Sequence, residues 1–364
     1  MTFKKTMTPP YVVLFLTCFC LLSAICGCAE QPYADKGRHC PVSDLSTPAG
    51  MIKSLENLPP VENVEIWDNE YAPGITITTK HYHIHTTMLE PLTLTRVPGF
   101  MESAYKAYQQ QLPSPVETQN KFIVYLLGDR QQWEKFTRKF TGNDAEMYLK
   151  IKKGAYYLNG ACVTYNIGRA RTFSVLGHEG WHQFNFRHFS YRLPSWLDEG
   201  LATLFETSEY RDGFFYFRPE KNASRLWALR KILKADKAIP LGKILTLNPG
   251  EIVAHADTDS VLAFYAQSYA LVRFLKEYDY GTHLLEFQNL LLDAKNGNWP
   301  LDEKMQKIAL NRNMPMTSEW NRYRSPKLFD YYIDYHQALQ KQYTAFCVKI
   351  AHSVRFKKNR GNHP

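Results

Sequence analysis

The sequence predicts an α+β protein in which a small mixed β-sheet precedes a mainly helical carboxy-terminal part. Alternating and β-branched runs lie within residues 63–170, which is typical of strands. Apolar residues recur at a spacing near 3.6 within residues 171–352, which is typical of packed helices. The 364 residues are 45% hydrophobic and 14% aromatic, enough apolar material for one large domain or two small ones.

Residues 1–28 are predicted to be a targeting segment. A basic Lys4-Lys5 pair precedes the apolar run 11–25, which is too short to span a membrane comfortably. The run ends in Ile25-Cys26-Gly27-Cys28, which resembles a bacterial lipobox and implies a lipidated Cys28 at the mature amino terminus. The residue two before Cys28 is unusual for that pattern, so an ordinary cleaved signal or an uncleaved anchor is the alternative. Each interpretation predicts export.

The polar residues 29–62 contain five prolines, so we interpret most of them as a tether from the membrane. The formal net charge is +9, and basic residues are spread along the chain except in the tail 353–364. This charge is compatible with an anionic membrane or cell-wall surface. No nucleic-acid-binding motif accompanies it, so nucleic acid is not a predicted partner.

Residues 63–170 are predicted to contain four strands and two helices. The strands are Ile75 to Thr79, His81 to Thr87, Lys121 to Leu127 and Ala161 to Tyr165, and the helices are Pro91 to Gln111 and Arg130 to Phe140. After Glu206 the chain is predicted to be mainly helical, ending in a helix from Tyr331 to His352.

Three histidines in the second of these strands form a possible metal site. His81, His83 and His85 recur with period 2 and therefore share one strand face. The alternative is a half-exposed strand whose other face, Tyr82 and Ile84, is buried. We favour the alternative because no carboxylate or cysteine partner is evident nearby in the sequence.

The cysteines do not indicate a disulfide-stabilised fold. Four of the seven lie in the targeting segment, and Cys40, Cys162 and Cys347 are few and far apart. One disulfide is possible, but the sequence does not select the pair. No Cys/His signature suggests a thiol nucleophile.

The stretch 172–206 carries the strongest chemical signal. If Thr172 to Phe186 is helical, His178 and His182 lie one turn apart on one face and can bind one zinc ion. Glu179 is displaced by about 100° around the helix from His178. It can reach a water molecule at the metal, which is the place of a general base.

A second apolar segment supplies a third ligand. Ser195 is predicted to be the N-cap of a helix, with Asp198 at the third helical position in a capping role. Glu199 is then free to face the first helix, and Gly200 leaves room for close helix approach. Glu206 lies two turns beyond Glu199 on the same face. Asp198 and Glu206 are therefore the predicted supporting carboxylates around a two-histidine, one-glutamate site.

These motifs resemble those of the gluzincin metallopeptidases, in which HExxH is followed by a glutamate ligand on the next helix. The chain is most similar to a poorly characterised group of bacterial gluzincin-like lipoproteins that carry HEGWHQ and LPxWLDEG, over roughly residues 150–280. The resemblance implies a zincin-like fold, a Zn²⁺ site at His178, His182 and Glu199, and Glu179 as the base. A chance HExxH on an ordinary helix is the alternative, which the following WLDEG segment disfavours.

Two other segments bear on the resemblance. The aminopeptidase branch carries a GAMEN-like motif just before the zinc helix, whereas this chain has GAYYLNG at 154–160, without a glutamate. This departure argues against a strict aminopeptidase. The strand Ala161 to Tyr165 would be the edge of the sheet that lines the cleft, where an extended peptide can add by main-chain hydrogen bonds.

A tyrosine in the helical part is the remaining candidate. The segment from Tyr265 to Leu275 is similar to the family's YxKGAxVLxxL, and the alignment implies that Tyr265 donates a hydrogen bond to the developing oxyanion. The alternative is that Tyr265 and Tyr269, four residues apart, form an aromatic stripe in the helical core.

The sequence therefore predicts an exported, membrane-tethered zinc peptidase of the bacterial cell envelope that hydrolyses peptide or protein substrates. Zinc makes a water molecule acidic near pH 7, and Glu179 would take its proton and return one to the leaving amine. One alternative is a catalytically silent zinc- or peptide-binding lipoprotein on the same fold. The other is an exported structural or adhesive protein with an incidental HExxH.

Overall fold

The computed structural model of the chain describes residues 45, 47–152, 154–248, 258–312 and 319–353. The predicted targeting segment with Cys28, residues 29–44 and 46 of the predicted tether, which include Cys40, and the basic tail beyond Ser353 lie outside the described residues. Among the helices that are described, none is both long and apolar enough to cross a membrane.

The fold is α+β, as predicted, with a six-stranded mixed sheet in the first half of the described chain. Its strands are β1 (Val61–Trp67), β2 (Gly74–Thr79), β3 (Tyr82–Thr86), β4 (Phe122–Leu127), β5 (Tyr156–Leu158) and β6 (Ala161–Tyr165). The order in the sheet is β1-β2-β3-β4-β6-β5. The β3–β4 and β4–β6 pairs are parallel and the other neighbours are antiparallel. Parallel neighbours need crossover connections, which helices supply here.

Helices cover the sheet and form most of the rest of the described chain. Those before β6 are α1 (Pro48–Leu55), α2 (Pro91–Leu94), α3 (Val97–Gln109), α4 (Arg130–Thr141) and α5 (Ala145–Leu149). Those after β6 are α6 (Arg169–His188), α7 (Ser195–Ala202), α8 (Ala223–Lys234), α9 (Leu241–Ile244), α10 (Thr258–Glu277), α11 (Leu284–Asn296), α12 (Glu303–Leu310), α13 (Ser325–Tyr332) and α14 (His336–Ala351). A π-helical turn, Trp320–Arg324, leads into α13.

The two faces of the sheet pack into different cores. Val124 of β4 and Cys162 of β6 belong to a large core that includes residues of α3 and α6. Val163, the next residue of β6, belongs to a smaller core with Trp133 of α4. Successive strand side chains point to opposite faces, so α6 is held on one face of the sheet and α4 on the other.

Specific contacts fix α6 and α7 in place. The Gln183 side chain of α6 donates to the carbonyl oxygens of Ile123 (2.9 Å) and Gly160 (2.8 Å) in the sheet. A Cβ at Gly177 of α6 would collide with the backbone carbonyl of Phe205 after α7, and one at Gly200 would lie 2.6 Å from the Ser268 carbonyl of α10. Only glycine permits these approaches: the first packs α6 against the segment that follows α7, and the second packs α7 against α10.

The predicted tether extends too far. Residues 48–55 form α1, whose Met51 and Leu55 are fully buried, and β1 begins at Val61, so the folded part starts before residue 62. Pro48 is not part of a loop: it occupies the first turn of α1, where a proline breaks no helical hydrogen bond.

The helical part also contains a hairpin that the sequence analysis missed. Its strands are β7 (Ser208–Arg211) and β8 (Phe214–Phe217), joined through Asp212 and Gly213 with φ of 53° and 83°. Positive φ at both central residues is the geometry of a two-residue hairpin turn, for which Asp-Gly is a recognised signal.

One predicted helix and the predicted sheet edge also differ from the structure. The segment from Tyr331 to His352 belongs to two helices, α13 and α14, rather than one. The strand Ala161–Tyr165 is not a sheet edge; the neighbouring β5, within the GAYYLNG segment, is the edge and pairs with it antiparallel. Short edge strands give a weak sequence signal because three residues cannot show alternation.

Candidate metal centre

The helix α6 carries both histidines of the HEGWH motif on one buried face. The exposed fractions of His178 and His182 are 3% and 2%, and their ring centroids are 5.0 Å apart. Glu199 of α7 is fully buried opposite them. One ligand atom from each residue lies within 4.8 Å of the others, so this buried group could hold a metal ion.

The distances fit a single ion among the three side chains. Glu199 Oε2 lies 3.3 Å from His178 Nε2 and 3.7 Å from His182 Nε2. Ligand bonds of 2.0–2.2 Å in a tetrahedral site place neighbouring ligand atoms about 3.4 Å apart. The group therefore needs only small shifts to close around an ion of that size.

Carboxylates hold the far side of each imidazole ring. The Nδ1 of His178 lies 3.0 Å from Glu206 Oε1, and the Nδ1 of His182 lies 3.1 Å from Asp198 Oδ1. Because a carboxylate accepts hydrogen bonds, each Nδ1 is the donor and each Nε2 is directed at Glu199. The site thus orients both rings for metal binding through Nε2.

Each supporting carboxylate has further partners that the sequence analysis missed. Glu206 Oε2 accepts from Arg225 Nε at 2.8 Å and from the Asn222 amide at 2.9 Å. Both partners come from the start of α8, and Asn222 is also its N-cap. The sequence predicts a helix that begins near Ala223, but no pattern in it indicates that the first turn of this helix contacts Glu206.

Asp198 has a role other than the predicted capping. Its Oδ1 accepts from Trp181 Nε1 and Asn185 Nδ2, each at 3.0 Å, in addition to His182. The N-cap prediction for Ser195 is wrong by one residue, because α7 begins at Ser195 and Pro194 is its N-cap. The Asp198 carboxylate therefore accepts hydrogen bonds from side chains of α6 and does not cap the start of its own helix.

The electrostatics of the site favour positive charge at the centre. Burial lowers the pKa of His178, but the carboxylates of Glu199 and Glu206 outweigh it and raise the pKa to about 9. Burial raises the pKa of Glu199, but His178 and His182 outweigh it and lower the pKa to about 2. The pKa of Glu206 is also lowered to about 2, against the effect of burial, chiefly by Arg225. The carboxylates stay ionised, which suits a bound cation.

The remaining motif carboxylate, Glu179 of α6, is fully buried. Burial raises the pKa of Cys162 on β6 well above its usual value, and the Glu179 charge raises it further. Tyr108 of α3 is affected in the same way, by burial first and then by Cys162 and Glu179. The Glu179 charge is therefore near enough to Cys162 and Tyr108 to affect both of them.

Tyr265 of α10 is buried beside Arg225, the arginine that binds Glu206. Its exposed fraction is 3%, and Arg225 Cζ lies 5.1 Å from its ring centroid. Arg225 binds Glu206, which places the tyrosine next to the outer part of the site. Tyr269, one turn further along, donates to the Pro219 carbonyl at 2.6 Å.

The rival histidines, His81 just before β3 and His83 and His85 within it, bind protein partners. The His81 Nδ1 lies 2.6 Å from Glu102 Oε2, a carboxylate partner that the sequence analysis did not find. The Nδ1 atoms of His83 and His85 lie 3.1 Å and 2.9 Å from the Thr78 and Thr76 hydroxyls. In the part of the chain that the structure describes, these histidines form no group with metal-ligand spacing. The half-exposed strand is thus the better account of them.

Cys162 and Cys347 are buried free thiols. They therefore form no disulfide with each other. Cys40 lies outside the described residues.

The chain matches no protein-family model, and no curated protein sequence matches it. The interpretation of the site accordingly depends on its own residues and geometry.

Proposed function

We propose that the chain is a zinc-dependent peptidase of the gluzincin type, with zinc held by His178, His182 and Glu199. One observation carries the proposal. The carboxylate of Glu199 is fully buried, and neither of its oxygens has a hydrogen-bond partner among the described residues. The same is true of the Nε2 atom of His178. A buried carboxylate in that state is costly, and a cation between it and the imidazoles would compensate it.

The chemistry of the donor set favours zinc. Two imidazole nitrogens and one carboxylate oxygen are the ligand set of several catalytic zinc sites, which keep a fourth position for water or substrate. Spacings of 3.3 Å and 3.7 Å between the donor atoms are compatible with zinc bond lengths. Calcium and magnesium prefer sites made of oxygen ligands.

The assignment to gluzincins, and with it a zincin-like fold, is supported by the arrangement of the motif elements. HEGWH lies on α6, the glutamate ligand lies on the next helix, and α6 packs on a mixed sheet. The antiparallel edge strand β5 runs beside α6, with the Tyr157 ring centroid 5.3 Å from that of Phe186. An extended substrate could add to this edge by main-chain hydrogen bonds.

The proposed reaction is hydrolysis of a peptide bond. Zinc, when bound, would make a water molecule acidic near neutral pH and polarise the substrate carbonyl. Glu179 would take the proton from that water and deliver a proton to the leaving amine. Glu206 and Asp198 keep the two histidines in the tautomer and orientation that metal binding needs. Tyr265 would donate a hydrogen bond to the oxyanion if substrate binding brings them together.

The cellular setting is proposed from the sequence. The lipobox-like segment supports export and a membrane tether through a lipid on Cys28, in a bacterial cell envelope. The partners would then be a peptide or protein substrate and the membrane. A catalytically silent zinc- or peptide-binding lipoprotein on the same fold is the second candidate, because the buried ligand group is equally suited to binding without turnover.

The metal content of the purified protein tests the proposal. We expect about one zinc ion per wild-type chain by elemental mass spectrometry, and loss of that zinc in His182→Ala. His352→Ala, which removes an exposed histidine from the end of the chain, should keep the zinc. Wild-type protein without stoichiometric zinc would instead support an exported structural protein with an incidental HExxH.

Replacing Asp198 should weaken zinc binding without removing a ligand. In Asp198→Asn the uncharged side chain holds His182 less firmly, and we expect zinc affinity to fall about 10- to 100-fold. Competition with a chromophoric chelator measures the change. Asp212→Asn removes the same charge from an 83% exposed side chain in the hairpin turn and is the control. Equal zinc affinity of Asp198→Asn and wild type would show that Asp198 does not support the metal centre.

A further inference from the structure

A cavity of ≈ 550 Å³ lies between α3, the β7–β8 hairpin and the end of α10. Its volume is within the range of pockets that bind small molecules. None of the three proposed zinc ligands lines it. The cavity is therefore separate from the metal centre and needs its own explanation.

The charge of the cavity lining has one sign. Three basic residues, Lys106, Arg218 and Lys276, line it, and no aspartate or glutamate does. The charge of Arg218 is compensated by Glu220, which does not line the cavity and whose Oε1 lies 2.6 Å from Arg218 Nε. Lys106 is exposed to solvent. The basic group whose charge is least compensated in the cavity is thus Lys276.

Lys276 lies in the last turn of α10 and is only partly exposed. Its Nζ donates to the neutral side-chain oxygen of Gln111 at 2.6 Å, and no described carboxylate lies within ion-pair distance of it. The adjacent Glu277 is bound to Arg273 at 2.6 Å instead. Burial lowers the pKa of Lys276 to about 8, against the opposing charge of Glu277. An anion in the cavity would supply the partner that this ammonium group lacks.

The rest of the lining is largely apolar and aromatic. Phe205, Phe215 and Phe217 form the inner wall, which is continuous with the large core. Phe214 and Tyr216 line the cavity at its outer side and are 63% and 42% exposed. Such a wall stabilises an apolar group by removing it from water.

We propose that this cavity binds a small amphiphilic carboxylate, with the carboxylate on the Lys276 ammonium and the apolar chain against the aromatic wall. A single ammonium matches a single negative charge, and the absence of acidic lining residues disfavours cationic ligands. The size of the cavity suits a free fatty acid of medium chain length or a compound of that shape. This site is independent of the proposed peptidase activity.

Calorimetric titration of the full chain with decanoate tests the proposal. We expect saturable binding with one decanoate per chain, and at least about tenfold weaker binding of 1-decanol, which has the same chain without the charge. Lys276→Met should weaken decanoate binding about tenfold and leave decanol binding unchanged. Lys307→Met, which removes a 74% exposed lysine on α12, is the matched control and should bind like wild type.

A cavity-filling variant makes the test independent of the stability of Lys276→Met. Ala107 lines the cavity from α3, so Ala107→Phe should fill it and abolish the binding of both ligands. Decanoate held at the metal centre instead would be unaffected by either substitution. Unchanged decanoate binding in both variants, equal binding of decanoate and decanol by wild type, or no saturable binding would each overturn the proposal.

Discussion

Glu179→Gln will abolish peptide hydrolysis and leave the zinc content of the protein unchanged. The amide keeps the size of the side chain but cannot take a proton from water at neutral pH, and loss of a general base lowers rates by about 10²- to 10⁴-fold. Glu179 is fully buried on α6 and is not one of the three residues whose ligand atoms converge. Zinc binding should therefore survive. Cleavage of a peptide library, followed by mass spectrometry of the products and by elemental analysis, measures both quantities.

The control is a glutamate with no part in the site. Glu146→Gln changes a 79% exposed side chain on α5 and should retain full activity and zinc. Hydrolysis by Glu179→Gln at the wild-type rate would remove Glu179 from the mechanism. Zinc-loaded wild-type protein that cleaves no peptide of the library would favour the silent binding lipoprotein.

Arg225→Met will destabilise the fold by about 3–5 kcal/mol, because it removes the guanidinium that chiefly compensates the buried Glu206 carboxylate. The exposed fractions of the two side chains are 8% and 2%, and Arg225 Nε lies 2.8 Å from Glu206 Oε2. Little water can therefore replace the lost guanidinium. Urea unfolding followed by fluorescence, with a chelator present so that metal binding adds nothing, measures the free energy of unfolding.

A second substitution distinguishes two effects on stability: the loss of the Arg225–Glu206 ion pair and the cost of leaving the Glu206 charge buried alone. The double variant Arg225→Met/Glu206→Gln removes both charges and should recover part of the lost stability. Arg138→Met breaks an exposed ion pair with Glu146 and should change the free energy of unfolding by less than about 1 kcal/mol. If Arg225→Met is as stable as Arg138→Met, the buried pair does not have the structural importance that we assign to it.

The two variants test different parts of the proposed site. In the proposal Glu179 would take a proton from water, whereas Arg225 contacts Glu206, which in turn contacts His178. If the chain from Arg225 to His178 orients the ring, Arg225→Met should also bind zinc more weakly, and a purely structural arginine distant from the site would not have that effect.

The sequence by itself determined the helical core of the site. Two histidines four residues apart must share a face of any helix that contains them, so His178 and His182 were identified by local geometry alone. Glu199 was predicted as the third ligand because Asp198 was expected to cap its own helix; the structure lacks that cap, yet Glu199 lies beside both histidines. The α+β class followed in the same way, because periods of 2 and 3.6 are properties of short windows. The short edge strand β5 and the β7–β8 hairpin escaped detection, since a few residues carry little periodic signal.

The sequence predicted Asp198 and Glu206 as supporting carboxylates, but only the tertiary structure decided which groups each of them binds. Asp198 was expected to cap its own helix, yet it binds Trp181, His182 and Asn185 on α6. Asn222 and Arg225, at the start of α8, reach Glu206 from 16 and 19 residues later along the chain, beyond a hairpin. Likewise, His81 finds Glu102 across 21 residues. Hydrogen bonds between buried polar groups of different elements are set by how those elements pack, and no local pattern in the sequence encodes that packing.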